Sequence, residues 1–251
     1  MNPYEDSAAL RQDIASESDG DVILSFSRGK DSLATWLALR KTFHTVRPFY
    51  MERIPGLVFV QESLDYFERF FGCKIPVLPH PATYRQLRAY VFQPPERWPV
   101  IEDAIKAGRL PAIDYAGQEA IVRGWAGRDL PVAWGTRATD SPIRMANVRK
   151  HGPRNHQRGA FWAIYDWRMA DVLAEIKASG VKLPVDYRMF GRSMDGIDWR
   201  YLAPLKRRYP EDYRRVLELF PLAELELYRR RSCKMPIDAP ASEWAALAED
   251  P

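Results

Sequence analysis

Cysteine is nearly missing from this 251-residue chain, which holds only Cys73 and Cys233. Two thiols cannot build a disulfide framework, and their separation suits neither a metal site nor a C-x-x-C redox pair. A four-iron cluster, which needs four thiolates, is excluded. Histidine is scarce as well, with four residues. His151 and His156 are neighbours in "KHGPRNHQR", but that stretch surrounds them with cations and offers no cysteine or carboxylate. A basic loop is therefore expected there, not a metal site. No apolar run approaches the roughly eighteen residues of a membrane helix. The opening "MNPYEDSAALRQDIASESDGD" is acidic and lacks the basic-then-apolar order of a signal peptide. A cytoplasmic protein without membrane contact is the expectation. Internal repeats and low-complexity tracts are also lacking.

What is there suffices for a sizeable core: 46% of residues are hydrophobic and 28% charged. The net charge of +4 is unevenly spread. Between Arg144 and Arg168 six bases face Asp166 alone, and between Arg200 and Arg231 nine bases face five acids. Two readings stand. Either these are solvated faces laced with helical ion pairs, or they form a groove for a polyanion such as a nucleotide or nucleic acid.

Along the chain, "DVILSF" reads as a buried strand, and "SLATWLALRKTF" repeats Leu33, Trp36 or Leu37, and Arg40 at helical spacing. "TVRPFYM" reads as a strand whose Pro48 points to an edge or a bulge. "ESLDYFERFFG" reads as a helix stopped by Gly72, and "KIPVLPH" as a short strand. "ATYRQLRAYVF" and "VIEDAIKAG" predict helices, and "LPVAWG" and "FWAIY" predict inner strands. "DWRMADVLAEIKASG" predicts a helix ending at Gly180. After it come helices over 201–206, 211–220 and 222–231, broken by Pro210 and Pro221. The alternation predicts an α/β fold with a Rossmann-like parallel sheet and a helical C-terminal region. The expected division is an N-terminal segment (1–20), a nucleotide-binding domain (21–170) and the helical region (171–251).

The turn "SFSRGKDS" joins the first strand to its helix, the favoured place for phosphate in an open parallel sheet. Backbone amides at a helix start bind anions. Ser27, Ser32 and Lys30 would add donors, and Gly29 would let the backbone approach. Asp31 repels phosphate unless a cation intervenes, and a magnesium ion bridging Asp31 to phosphate oxygens would resolve this conflict. A helix cap alone needs one such residue, not five. The common nucleotide loop G-x-x-x-x-G-K-[ST] does not fit, because Leu24 stands at its first glycine and Asp31 follows the lysine.

"SFSRGKDS" resembles the PP-loop, usually S-G-G-x-D-S, of the adenine nucleotide α-hydrolases, which include ATP pyrophosphatases and phosphoadenosine phosphosulfate (PAPS) reductases. Arg28 replaces the first loop glycine. The segment "FYMERIPGLVFVQESLDYFERFFGCKI" is similar to a second family segment, with Glu52 in place of the usual aspartate. "AWGTRATDSPIR" resembles the PAPS-reductase pattern G-x-R-x-x-[DE]-S-x-x-R through Gly135, Arg137, Asp140, Ser141 and Arg144. A further similar stretch runs through Asp166, Trp167, Tyr187 and Arg192.

The resemblance spans roughly residues 20 to 200 and implies binding of ATP or PAPS, with magnesium at Asp31. The nucleotide residues it implies are Ser25, Ser27, Arg28, Gly29, Lys30, Asp31, Ser32, Glu52, Gly135, Arg137, Ser141 and Arg144. Lys30, Asp31 and Arg137 are the implied catalytic groups. The expected activity is attack at the ATP α-phosphate, giving AMP and pyrophosphate and activating a second substrate. A sulfonucleotide reductase is the alternative. Its one available thiol is Cys233, beside Arg229, Arg230, Arg231 and Lys234, but the family's tail motif around its cysteine is absent. A third reading is an accessory protein without turnover. The resemblance includes proteins of phages and of type IV CRISPR loci, and there the partners would be nucleic acid or a nucleoprotein complex.

Overall fold

The computed structural model describes residues 4–233, 247 and 248. Asp6 caps helix α1 (Ser7–Glu17), accepting a hydrogen bond from Ala9 N–H at 2.8 Å. DVILSF follows as strand β1 (Asp21–Phe26), buried from Val22 to Phe26, and leads into helix α2 (Lys30–Arg40). Of the residues at helical spacing Leu33, Trp36 and Leu37 are buried, while Arg40 ends the helix exposed. Next come β2 (Thr45–Glu52), α3 (Val58–Phe71) and β3 (Val77–Pro79). Gly72 stops α3 with φ of +70°, a conformation that costs any residue bearing a Cβ. Helices α4 (Pro81–Arg88), α5 (Trp98–Lys106) and α6 (Tyr115–Ala126) precede β4 (Val132–Trp134), α7 (Pro142–His151), β5 (Arg154–Asn155) and β6 (Ala160–Trp162). The later elements are helices: α8 (Met169–Ser179), α9 (Asp186–Phe190), α10 (Trp199–Arg208), α11 (Pro210–Leu219) and α12 (Leu225–Ser232).

The strands form one sheet in the order β3-β2-β1-β4-β6-β5. β1 pairs in parallel with β2 and β4, and β4 with β6, while β5 runs antiparallel at one edge. This is a Rossmann-like α/β sheet. The chain moves from β1 outward to β2 and β3, then returns to the other side of β1 as β4. The strand order therefore reverses between β1 and β4, and such a reversal opens a crevice at the strands' carboxyl ends.

Two expectations need correction. β2 is not an edge strand, because it lies between β1 and β3. Tyr50 N–H donates to Pro76 O, so Pro48, two residues earlier, turns its missing N–H to that same side, ahead of β3's first residue. "KHGPRNHQR" is not one loop either. It ends α7, turns at Gly152 (φ +78°), and contributes β5.

The chain packs as two compact units. The first contains the residues up to Tyr50, Phe70–Val77 and Ala116–Lys182; the second contains Met51–Arg69, Leu78–Tyr115 and the residues from Leu183 onward. The division expected at residue 170 cuts the chain once, whereas each unit draws on three stretches. In the first unit Trp36 is buried with Phe26 edge-on at 5.0 Å and Phe71 stacked at 3.7 Å. Burial of each large ring contributes roughly 1.5–3 kcal/mol, so this cluster fixes α2 on the sheet. In the second unit the fully buried carboxylate of Asp212 accepts from Val58 N–H at 2.8 Å and Phe59 N–H at 3.2 Å, satisfying the first turn of α3. Among the described residues, no helix is long and apolar enough to cross a membrane.

Candidate functional site

The turn between β1 and α2 lies at the reversal point of the sheet, in the first unit. Arg28 there has φ of +62°, the left-handed conformation that makes glycine usual in such turns. Ser32 closes the turn. Its Oγ accepts from Ser27 N–H at 3.2 Å and from Ser27 Oγ at 3.0 Å, and donates to Gly29 O at 2.9 Å. Gly29 is the N-cap of α2 and supplies no side-chain cap, while Ser27 is exposed. A helix start without a capping side chain keeps its partial positive charge available to an anion.

The segment after β4 meets this turn at Gly135. A Cβ there would stand 2.8 Å from both N and Cα of Ser32, so only glycine admits the approach. From that contact the chain runs to Arg137, which is only 4% exposed. A line of alternating charges follows. Lys30 Nζ lies 2.6 Å from Asp31 Oδ2, Asp31 Oδ1 lies 2.9 Å from Arg137 Nε, Arg137 reaches Asp140 at 2.6 Å, and Asp140 meets Arg144 at 2.8 Å. Three cations against two carboxylates leave one net positive charge. Ser141 caps α7 by accepting from Arg144 N–H at 3.2 Å.

Ser27, Gly29, Lys30, Asp31, Ser32, Gly135, Arg137, Ser141 and Arg144 are thus brought together, and Asp140 joins them as the carboxylate that ties Arg137 to Arg144. The side chains of the remaining expected residues do not join this set. Ser25 is buried within β1. Arg28 is 2% exposed, with its guanidinium over the Tyr50 ring at 5.8 Å. Glu52 ends β2 and belongs to the second unit. Burial pushes its carboxyl up, a shift opposed by a hydrogen bond from the Gly56 backbone. Asp166 accepts from Ser7 N–H at 3.0 Å and Trp167 faces Arg11 at 5.9 Å, so both anchor α1. Tyr187 is buried, and Arg192 pairs with Asp195 at 2.5 Å. Cys233 is exposed at the end of α12 in the second unit, and its neighbour Lys234 lies outside the described residues.

Sequence reasoning missed a support beneath β4. The carboxylate of Glu119, wholly buried, accepts from Arg158 at 2.8 and 2.9 Å and from Trp134 Nε1 at 2.9 Å. It holds the residue immediately before Gly135. No spacing signals this trio, because its members come from α6, β4 and the loop after β5.

Among the described residues, no group of three His, Cys, Asp or Glu side chains is placed to hold a metal on its own. A magnesium ion that arrives with phosphate needs only one or two carboxylates, since phosphate oxygens and water fill the rest. Asp31 supplies one such carboxylate: its Oδ1 is buried and makes no hydrogen bond, but it faces the Arg137 guanidinium at 2.9 Å, so a magnesium ion there would displace that ion pair.

No protein-family model and no curated protein matches the sequence. Among solved structures the chain is similar to NH3-dependent NAD synthetase from Campylobacter jejuni subsp. jejuni NCTC 11168 in complex with the nitrate ion. Identity is 14%, coverage 92% of this chain and 94% of that one, and the TM-score 0.43. It is also similar to a predicted subunit of tRNA methyltransferase from Methanocaldococcus jannaschii, at 18% identity over 77% of this chain and 92% of that one, with a TM-score of 0.34. With both TM-scores below 0.5, neither likeness bears on substrate or chemistry.

Proposed function

We propose that the first unit binds the phosphate tail of an adenine nucleotide over the turn from Ser27 to Ser32, and that it activates a second substrate by substitution at the α-phosphate of ATP. The observation that carries this reading is the charge line from Lys30 to Arg144 laid against an α2 start without a side-chain cap, at the place where the strand order reverses. The adenine base and the α-position rest on the resemblance of SFSRGKDS and GTRATDSPIR to the PP-loop enzymes.

In such a reaction an acceptor oxygen forms a bond to the α-phosphorus. The bond to the α–β bridging oxygen breaks, and pyrophosphate leaves with that electron pair. Negative charge spreads over the phosphate oxygens as this happens, so the protein's task is electrostatic. Lys30 and Arg137 supply fixed positive charge, and Arg137 adds a planar fork suited to two oxygens. Asp31 is the residue that would hold magnesium, which supplies charge neutralisation when bound. Ser32 acts on geometry, since its hydroxyl is already committed to the turn.

The test incubates pure protein with magnesium and ATP labelled at the α-phosphate, alongside thermal shifts with ATP, PAPS and their products. Labelled AMP or an adenylylated acceptor, with pyrophosphate, is expected. Absence of thermal protection by millimolar adenine nucleotides with magnesium sinks the reading.

A further inference from the structure

We infer that α7 and the turn after it form a docking surface for the phosphodiester backbone of a nucleic acid, and that the second substrate is accordingly a nucleic acid. The surface stands on charge and exposure. Its connection to the substrate rests on the nucleotide reading of the Ser27–Ser32 turn.

From Pro142 to Gly159 the chain carries Arg144, Arg149, Lys150, Arg154 and Arg158, two histidines and no acid. α7 buries only Val148, while Ile143 is 75% exposed and Arg149, Lys150 and His151 are exposed beside it. Cations in a helix's last turn offset its dipole, and that ordinary role covers Arg149, Lys150 and His151. It does not cover Arg144 near the amino end, where the dipole disfavours a cation and Asp140 holds it instead at 2.8 Å.

Local acid content separates this surface from the other basic stretch. Between Arg200 and Arg231 five acids are interspersed among the nine bases, and Arg200, Lys206, Arg214, Arg215 and Arg229 each pair with a carboxylate. In the α7 region Arg154 is taken by Glu17 and Arg158 by Glu119. Arg149 and Lys150 have no acidic partner among the described residues. A membrane would require an apolar face, and α7 offers one large exposed apolar side chain, Ile143.

Position gives the surface its purpose. Ser141 caps α7 and Arg144 shares Asp140 with Arg137, so the amino end of the helix belongs to the same charge line as Lys30 and Asp31. A strand crossing the last turn of α7 would set its phosphates on Arg149 and Lys150, with the amino end of this ten-residue helix, about 15 Å long, leading back to Ser141 and the charge line.

The experiment measures fluorescence anisotropy of a labelled single-stranded RNA of about 16 nucleotides, and DNA of the same sequence, with the full chain and its Arg149→Ala/Lys150→Ala variant, from about 50 to about 200 mM salt. The wild-type chain is expected to bind one or both. The variant is expected to bind more weakly, with a salt slope shallower by about 1.4, roughly 0.7 for each lost phosphate contact. Thermal protection by ATP with magnesium should be equal in the two proteins. No binding by the wild-type chain, or unchanged affinity and slope in the variant, overturns the proposal, as does equal or tighter binding to phosphatidylserine vesicles. If ATP protects neither protein while RNA or DNA binding still depends on Arg149 and Lys150, the nucleotide reading falls and the docking surface stands.

Discussion

Asp31 Oδ1 and Arg137 Nε approach to 2.9 Å, yet neither atom makes a hydrogen bond. Their charges attract while their directions miss. A buried donor and a buried acceptor left in this state cost free energy, which a phosphate taking the Arg137 fork and a cation taking Asp31 would recover. Arg137→Met should therefore abolish protection by ATP with magnesium. Losing one member of a buried ion pair costs roughly 3–5 kcal/mol. Here Asp31 keeps Lys30 and Asp140 keeps Arg144, so a loss nearer about 2 kcal/mol in urea denaturation is expected. Arg137→Lys should regain part of that stability without regaining protection, since an ammonium cannot make the two-pronged contact.

Gly135→Ala tests the seat of the turn. The added methyl would meet Ser32 N and Cα at 2.8 Å and the Asp31 carbonyl carbon at 3.0 Å. These are backbone atoms and cannot rotate aside, so α2 must shift. A loss of about 1–3 kcal/mol is expected, together with lost nucleotide protection. Gly124→Ala is the control. A Cβ there meets nothing within 4 Å inside α6, so that change should raise stability by about 0.5–1 kcal/mol. Equal effects from the two substitutions would contradict the close approach.

Arg28 separates backbone strain from side-chain contact. Arg28→Ala removes the guanidinium from the Tyr50 ring and keeps the +62° φ, whereas Arg28→Gly removes the same contact and relieves the backbone. A left-handed conformation costs a residue with a Cβ roughly 1–2 kcal/mol. The Gly variant should thus be more stable than the Ala variant by about 1 kcal/mol, partly offset by glycine's freedom in the unfolded chain. Chemical denaturation of both decides it, and a more stable Ala variant would refute the strain.

The residues that were easiest to read are those whose environment matches their pattern. DVILSF is buried almost throughout, and Leu33, Trp36 and Leu37 point into one core, so β1, α2 and the turn between them follow from periodicity. The GTRATDSPIR segment could be grouped with that turn by its resemblance alone; what joins them physically is the Gly135 contact. α1 escaped notice because its inner face mixes Leu10 and Ile14 with Ser7 and Arg11, whose guanidinium donates to Ala163 O at 2.6 Å. α7 escaped because a helix burying one residue has no apolar stripe, and α6 because Gly117 and Gly124 weaken its propensity. Glu119 could not be foreseen, since its partners Trp134 and Arg158 meet it only through the folded sheet.

His80 ties the stability of the second unit to pH. It is the N-cap of α4, and its Nδ1 accepts from Ala82 N–H at 3.0 Å. Burial, followed by the charges of Arg53 and Arg85, pushes its imidazolium down to about 4. An unfolded chain takes up that proton near pH 6.5, whereas the folded one refuses it until about 4. The unfolded state binds more protons between these values, so stability is full above about pH 6.5 and falls as pH is lowered through the window. The displacement corresponds to about 3 kcal/mol, reduced to about 2 kcal/mol by partial solvent screening. His80→Asn keeps a capping oxygen but cannot titrate. Urea midpoints measured from about pH 7 to about pH 4.5 should therefore fall less steeply in the variant, and the gap between the two proteins should narrow or reverse toward acid. Parallel curves would mean that the imidazole is not the group that couples α4 to protons.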